Sequence, residues 1–182
     1  MKIDIGTFQL KNGREVFLRS PEEKDAKVML QYLKLVAEET DFLVRYPEEI
    51  TKTVEEEAVF LQGQLAAERS FMLSAFDEEQ IIGNVSINAV GGQQKLRHRA
   101  SVGIAVIKEY WGLGLGRQLM VLAEEQAYRC GYEQIELGVY ENNEAARSLY
   151  TQLGYEETGR TPKAFRLKNG MYVDEIVMVK TL

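Results

Sequence analysis

The sequence predicts one α/β (α+β) domain, a single mixed sheet with helices on both faces. Three observations carry this. The length of 182 residues favours one domain. No linker or low-complexity segment divides the chain. Predicted strands and helices follow one another without the strict alternation of a doubly wound parallel sheet.

The elements follow from local signals. Residues 7 to 19 read as two short strands around the turn Lys11-Asn12-Gly13. Ser20-Pro21-Glu22-Glu23 reads as a helix start, with Ser20 as cap, Pro21 at the first helical position and Glu23 closing a capping box. Ala26, Leu30, Leu33 and Ala37 form the expected apolar stripe. Thr40 to Thr51 is a polar connection containing Pro47. Thr53-Val54-Glu55-Glu56 is a second capping box, followed by Val54, Ala58, Leu61 and Leu65 on one helical face. Phe71 to Phe76 and Ile81 to Val90 flank the acidic turn Asp77-Glu78-Glu79, and Val85, Ile87 and Ala89 alternate with polar neighbours. After the loop Gly91-Gly92-Gln93-Gln94, a strand spans about His98 to Ile107. A helix then carries Leu115, Leu119, Leu122, Ala123 and Ala127 and stops at Gly131. Ile135, Leu137 and Val139 mark the next strand. Asn142 or Asn143 caps a helix that ends at Gly154. Tyr155 to Leu167 and Met171 to Val179 form a hairpin. The tetrapeptide Leu-Lys-Asn-Gly occurs at 10 and again at 167, which we read as reused turn chemistry and not as a domain repeat.

Composition narrows the function. Hydrophobic residues make up 45% of the chain, enough for a sizeable core. No apolar run approaches the ~20 residues of a membrane helix, and Met1-Lys2-Ile3-Asp4 lacks the apolar run of a secretory signal. The single Cys130 excludes an internal disulfide, and one histidine with one cysteine argues against structural zinc, so no metal is expected. These features together predict a cytoplasmic protein. The net charge of −6, from 28 acidic and 22 basic residues, lacks the basic surplus of a nucleic-acid binder, although Lys95-Leu96-Arg97-His98-Arg99 is locally basic. Neither nucleic acid nor membrane is an expected partner, and the acidity leans weakly toward a cationic substrate such as an amine.

Two segments carry chemistry. Gly112, Gly114 and Gly116 lie between a predicted strand and a helix. Glycines let the backbone adopt otherwise closed conformations and let a ligand approach. The helix start adds free N–H groups and the positive end of a dipole, which suit a phosphate. Arg117 adds a charge. The loop ends Gly116-Arg117-Gln118, not the Gly-Lys-Ser/Thr of a Walker loop, and its Gly-x-Gly-x-Gly spacing is not that of a Rossmann loop. Taken alone, it also fits a tight turn that merely starts a helix. The second segment, Asn143 to Tyr155, taken alone fits an amphipathic helix with an asparagine cap and a core tyrosine.

Jointly the two segments resemble the GNAT superfamily of acetyl-CoA-dependent N-acetyltransferases. Trp111-Gly112-Leu113-Gly114-Leu115-Gly116 is similar to the family's pyrophosphate loop, Arg/Gln-x-x-Gly-x-Gly/Ala, with Trp111 in place of arginine or glutamine. Asn143 to Tyr155 matches Asn-x-x-Ala-x-x-Leu-Tyr-x-x-x-Gly-Phe/Tyr. The specific matches lie between about 98 and 155, and the order of elements agrees over the whole chain.

The resemblance implies a mostly antiparallel sheet splayed at a cofactor slot, with acetyl-CoA as cosubstrate. The backbone of Ile104, Ala105 and Val106 would pair with the pantetheine arm. Trp111, Gly112, Leu113, Gly114, Leu115, Gly116 and Arg117 would hold the pyrophosphate. Asn143 would hydrogen-bond the arm, and Tyr150 would be the general acid beside the sulfur. The implied reaction is direct attack of a primary amine, a small molecule or a protein N-terminus, on the acetyl group. The alternative is a non-catalytic acyl-CoA-binding module of the same fold, disfavoured by the intact Asn143 and Tyr150. Residues 38 to 55, with Phe42, Arg45 and Tyr46, would flank the acceptor. The general base is not identified by the sequence. His98, Glu39, Asp41 and Glu141 are candidates, each more readily read as a surface residue. Cys130 lacks a visible activating histidine and reads as a small core residue. Any self-association is expected as a symmetric homodimer, through a strand edge of the C-terminal hairpin.

Overall fold

The computed structural model describes residues 1–182. Eight strands form one sheet: β1 (Asp4–Gln9), β2 (Glu15–Arg19), β3 (Phe71–Asp77), β4 (Gln80–Ala89), β5 (Arg99–Val106), β6 (Gln134–Tyr140), β7 (Glu156–Arg166) and β8 (Tyr172–Thr181). Their spatial order is β1-β2-β3-β4-β5-β6-β8-β7. All neighbours are antiparallel except β5 and β6. Four helices cover the sheet: α1 (Ala26–Glu39), α2 (Val54–Ala66), α3 (Leu115–Arg129) and α4 (Glu144–Gln152). The expected mixed, mostly antiparallel sheet is thus present. No helix is long and apolar enough to cross a membrane.

One parallel pair sits at the centre of an otherwise antiparallel sheet. β5 pairs with β6 only from Arg99 to Ser101, opposite Gln134 to Glu136. Beyond Ser101 the two strands part. Each keeps its other partner, β5 along β4 and β6 along β8 over its whole length. The sheet is therefore two antiparallel halves joined by a short parallel seam.

The core lies under α3. Of the predicted stripe, Leu115, Leu119, Ala123 and Ala127 are fully buried and Leu122 is half-buried, while Met120 joins the buried face. Gly83 on β4 lets this helix come close. A Cβ there would lie 3.1 Å from Leu119 and 3.3 Å from Leu115. On α1 the most buried residues are Ala26, Met29, Tyr32 and Val36, so the inward face is turned toward these from the predicted stripe, and Leu33 is only half-buried.

The two Leu-Lys-Asn-Gly turns are the same structure. Gly13 N donates to Leu10 O at 2.9 Å, and Gly170 N to Leu167 O at 2.8 Å. Both glycines have positive φ, +87° and +85°. In both, the asparagine side chain accepts from the backbone N–H two residues on, that of Arg14 at 3.1 Å and of Met171 at 2.9 Å. This is the Asx geometry that favours asparagine in turns.

Three expectations require correction. Ser20 does not cap a helix. Its Oγ accepts from Ile3 N at 3.0 Å and donates to Met72 O at 2.8 Å, stitching the N-terminus to β3. The chain instead enters α1 through a short 3₁₀ turn, Glu23–Asp25, at whose start the Glu22 N–H donates to the Asp25 carboxylate at 2.7 Å. α2 begins at the predicted Thr53–Glu56 capping box. Its inward residues are Leu61 and Glu57, however, and Val54 is exposed, because α2 rests on α1 at the edge of the fold. Ala89 is exposed at the end of β4.

Ser20→Ala leaves a buried N–H and a buried C=O without partners, which costs about 1–3 kcal/mol. Urea unfolding is expected to show a lowered midpoint with an unchanged slope. A midpoint equal to that of the parent would mean the bridge contributes nothing.

Candidate active site

The parting of β5 and β6 opens a cleft of about 740 Å³. It runs from the start of α3, between the two strands, to the α1–α2 connection. Of the sequence-predicted residues it gathers Ile104, Ala105, Val106, Trp111, Gly112, Gly114, Gly116, Arg117, Asn143 and Tyr150. Leu113 and Leu115 are the exceptions. Leu115 is fully buried in the core, and Leu113 packs against it while its carbonyl accepts from Lys11 N at 3.1 Å. A helix start alternates glycines that face a ligand with leucines that anchor the turn, so only the backbone of these two can face the cleft.

The strip of β5 along the cleft is chemically open. Ile107 N donates to Ile82 O. An antiparallel ladder alternates, so Val106, Ile104 and Val102 turn their N–H and C=O groups away from β4, toward the cleft. The Val106 carbonyl is occupied by the Trp111 indole N–H at 2.6 Å. The Ala105 carbonyl accepts from the Tyr32 hydroxyl at 2.7 Å, which ties the strip to α1.

At the α3 end the geometry favours an anion. Gly114 is the N-cap residue, with φ +89°, and no side chain caps the helix. Gly112 also has positive φ, +76°. The first-turn N–H groups are thus free to meet a ligand. Two cations flank them. Arg117 donates to Gln152 across the cleft. Lys11, from the first hairpin turn, lays its stem along the loop, its Cε 3.6 Å from where a Gly114 Cβ would be. Sequence reasoning missed Lys11, since nothing local to a hairpin turn points to a loop a hundred residues away. The hairpin is held there by Arg14, which pairs with Asp77 at 2.6 Å, while Asp77 also accepts from the Tyr110 hydroxyl just ahead of the loop.

In the middle of the cleft, Asn143 caps α4, its Oδ1 accepting from Ala146 N at 3.2 Å. That leaves its NH₂ group as a donor. Tyr150 lies on the same helix, 8% exposed, with no hydrogen-bond partner in the protein. Burial pushes its phenol up to about 12, so it is a proton donor at neutral pH.

The far end is apolar and aromatic. Tyr140 stacks on Phe165 at 3.8 Å between centroids and meets Phe42 edge-on. Leu43 and Val44 complete the wall. Of the three connection residues predicted to flank an acceptor, Phe42 lines the cleft. Tyr46 instead accepts from Lys168 N at 2.9 Å, and Arg45 lies outside the lining. One carboxylate lines this end, that of Glu175, which the sequence reading did not single out.

None of the four sequence candidates for a base lines the cleft. The Glu39 carboxylate accepts from Lys108 N at 2.7 Å. Glu141 pairs with Arg160. His98 and Cys130 lie together in a separate, shallow polar depression of about 590 Å³, at the seam end of β5. No three His, Cys, Asp or Glu residues gather as a metal cluster.

Residues 35–155 match the acetyltransferase (GNAT) family. The L-amino acid N-acetyltransferase AaaT of Escherichia coli (strain K12) is 32% identical over 114 residues, 59% of this chain and 66% of its own length, just under two thirds. An acetyltransferase of GNAT family from Streptococcus pneumoniae superposes with a TM-score of 0.87 at 32% identity, over 92% of this chain and 99% of that one. The yncA protein of Salmonella typhimurium, solved with its cofactor acetyl-CoA, shares the fold with a TM-score of 0.79 at 19% identity, over 92% and 94% of the two chains.

Gly114→Val places a β-branched residue at positive φ and fills the anion site. It is expected to abolish acetyl-CoA binding measured by calorimetry, in a protein whose circular dichroism is unchanged. Lys11→Ala is expected to weaken binding about threefold, less as salt rises, because an exposed charge is screened. Parent-like affinity in a folded Gly114→Val variant would place the anion site elsewhere.

Proposed function

The chain belongs to the acetyltransferase (GNAT) family, and on that premise we propose that it transfers the acetyl group of acetyl-CoA to a primary amine by direct attack, in the cytoplasm and without a metal. The observation that carries this reading is one continuous cleft. It joins an uncapped, cationic helix start to the unpartnered hydroxyl of Tyr150 through a strip of unpaired strand backbone.

The residues divide the work along that line. The pyrophosphate lies on the N–H groups around Gly112, Gly114 and Gly116, with Arg117 and Lys11 balancing its charge. The pantetheine arm takes the place of a strand beside β5 and pairs with the backbone of Ile104 and Val106. To do so it displaces the Trp111 indole from the Val106 carbonyl. The Asn143 NH₂ group donates to the arm from the opposite wall. A backbone N–H of the exposed strip polarises the acetyl oxygen as it becomes an oxyanion. The amine nitrogen attacks the carbonyl carbon, the C–S bond breaks, and Tyr150 protonates the departing thiolate.

The acceptor is a small-molecule amine or a protein N-terminus. The name of the Escherichia coli relative, an L-amino acid N-acetyltransferase, supports the first. A non-catalytic acyl-CoA-binding module would need no proton donor beside the sulfur, the place this reading gives Tyr150.

Release of free CoA in the presence of a panel of primary amines tests transfer directly. Tyr150→Phe keeps the ring and removes the proton. It is expected to lower turnover ~10²–10⁴-fold while acetyl-CoA affinity and thermal stability stay near those of the parent. Single-turnover rates within threefold of the parent would remove Tyr150 as the principal acid.

A further inference from the structure

Glu175 is the one anionic side chain in the cleft, and Lys11 and Arg117 are its only cations. The two cations stand at the α3 end. Glu175 stands at the other, on β8, paired with Tyr140 of β6 on one side and Thr161 of β7 on the other. No side chain of the protein neutralises it. Arg160, on the neighbouring strand, is already shared by Glu141 and Asp174.

What puts this carboxylate in the cleft is a glycine. Gly138 faces the slot on β6, and the Glu175 side chain crosses directly over it. A Cβ on Gly138 would overlap Oε1 and sit 2.8 Å from Cδ and 3.3 Å from Cγ. Gly138 has an ordinary negative φ, so backbone conformation does not require glycine there. A glycine inside a strand weakens it and often marks a close approach. Here the approaching group is a carboxylate, laid in an otherwise apolar and aromatic corner formed by Tyr140, Phe165 and Phe42.

We propose that Glu175, given its place by Gly138, receives the acceptor's ammonium group and takes its proton, and that the acceptor is a primary ammonium on an apolar or aromatic body. The inference rests on the acetyl-transfer reading above. An ammonium entering this corner meets one negative charge and no competing cation. Its apolar body meets the aromatic wall. Proton transfer from nitrogen to a Glu175 oxygen breaks an N–H bond and frees the lone pair that attacks the acetyl carbon. Across a turnover the nitrogen loses two protons. One is matched by the proton that Tyr150 gives to sulfur, and the other leaves through Glu175 to solvent.

The test uses 2-phenylethylamine as acceptor, with the full chain. Calorimetric titration of the amine into the CoA-loaded protein reads recognition, and CoA release from acetyl-CoA reads turnover. Glu175→Gln is expected to weaken amine binding at least tenfold and to lower kcat/KM ~10²-fold or more, with acetyl-CoA affinity within twofold of the parent. Gly138→Ala, which moves the carboxylate without removing it, is expected to show a smaller loss of the same kind. The double variant should be no worse than Glu175→Gln alone, because both substitutions act on one group. Amine affinity and kcat/KM within threefold of the parent in a folded Glu175→Gln variant overturn the inference, as does a parent that binds no amine at millimolar concentration. Amine binding that depends on Glu175 without any CoA release keeps the ammonium site but removes its proton-accepting role and the acetyl-transfer reading.

Discussion

Everything in this molecule depends on β5 and β6 holding together for three residues and then letting go. A parallel pair has slanted, slightly weaker bonds than an antiparallel one, and here it is the shortest pairing at the sheet's centre. Continued pairing would bury the polar backbone of Val102, Ile104 and Val106 and close the cleft. Parting leaves those groups open, which is costly unless something bonds to them. The fold limits the cost by keeping each strand fully paired on its other side. The Trp111 indole occupies one exposed carbonyl. The same residue stands where the GNAT loop carries arginine or glutamine, so a departure in sequence has a structural use.

A second constraint is the position of the first hairpin. It lies at the sheet's edge in β1 and β2, yet its turn reaches the loop before α3. Two contacts hold it there, Lys11 N to the Leu113 carbonyl and the Arg14–Asp77–Tyr110 chain. The Tyr110 phenol, raised to about 12 by burial and by its bond to Asp77, remains a donor to that carboxylate. The glycines give the loop freedom, and the hairpin takes away what the ligand does not need.

Much of this was legible in the sequence, and the reasons are local. Turn residues, helix caps and the period of apolar residues act within a few positions of themselves, so both Leu-Lys-Asn-Gly turns, the Thr53 and Asn143 caps and the inward face of α3 could be read directly. The glycine loop and Tyr150 could be read because a resemblance linked them. Ser20 shows where this fails. Its helix-capping signal is sound, but an oxygen that bridges Ile3 and Met72 satisfies two buried groups at once, and tertiary demand overrode local preference. Lys11 and Glu175 failed differently. Neither carries a local signal, since one acts at residue 114 and the other over residue 138. Gly138 was the available clue, a glycine within a run of otherwise well-formed strand residues.

The cleft's polarity then follows from which groups the fold leaves unpaired. Most charged side chains near it are spent on one another, Arg160 on Glu141 and Asp174, Lys168 on Glu48, Arg147 on Glu157. Among the residues that line the cleft, the exceptions are the two cations at one end, the Glu175 carboxylate at the other and the Tyr150 hydroxyl between them. None of these groups has a charged partner in the protein, and all of them open onto the cleft. Keeping them, in this order along a slot the width of an added strand, makes sense when an anionic, strand-like cosubstrate and a cationic acceptor arrive from opposite ends and meet beside the tyrosine.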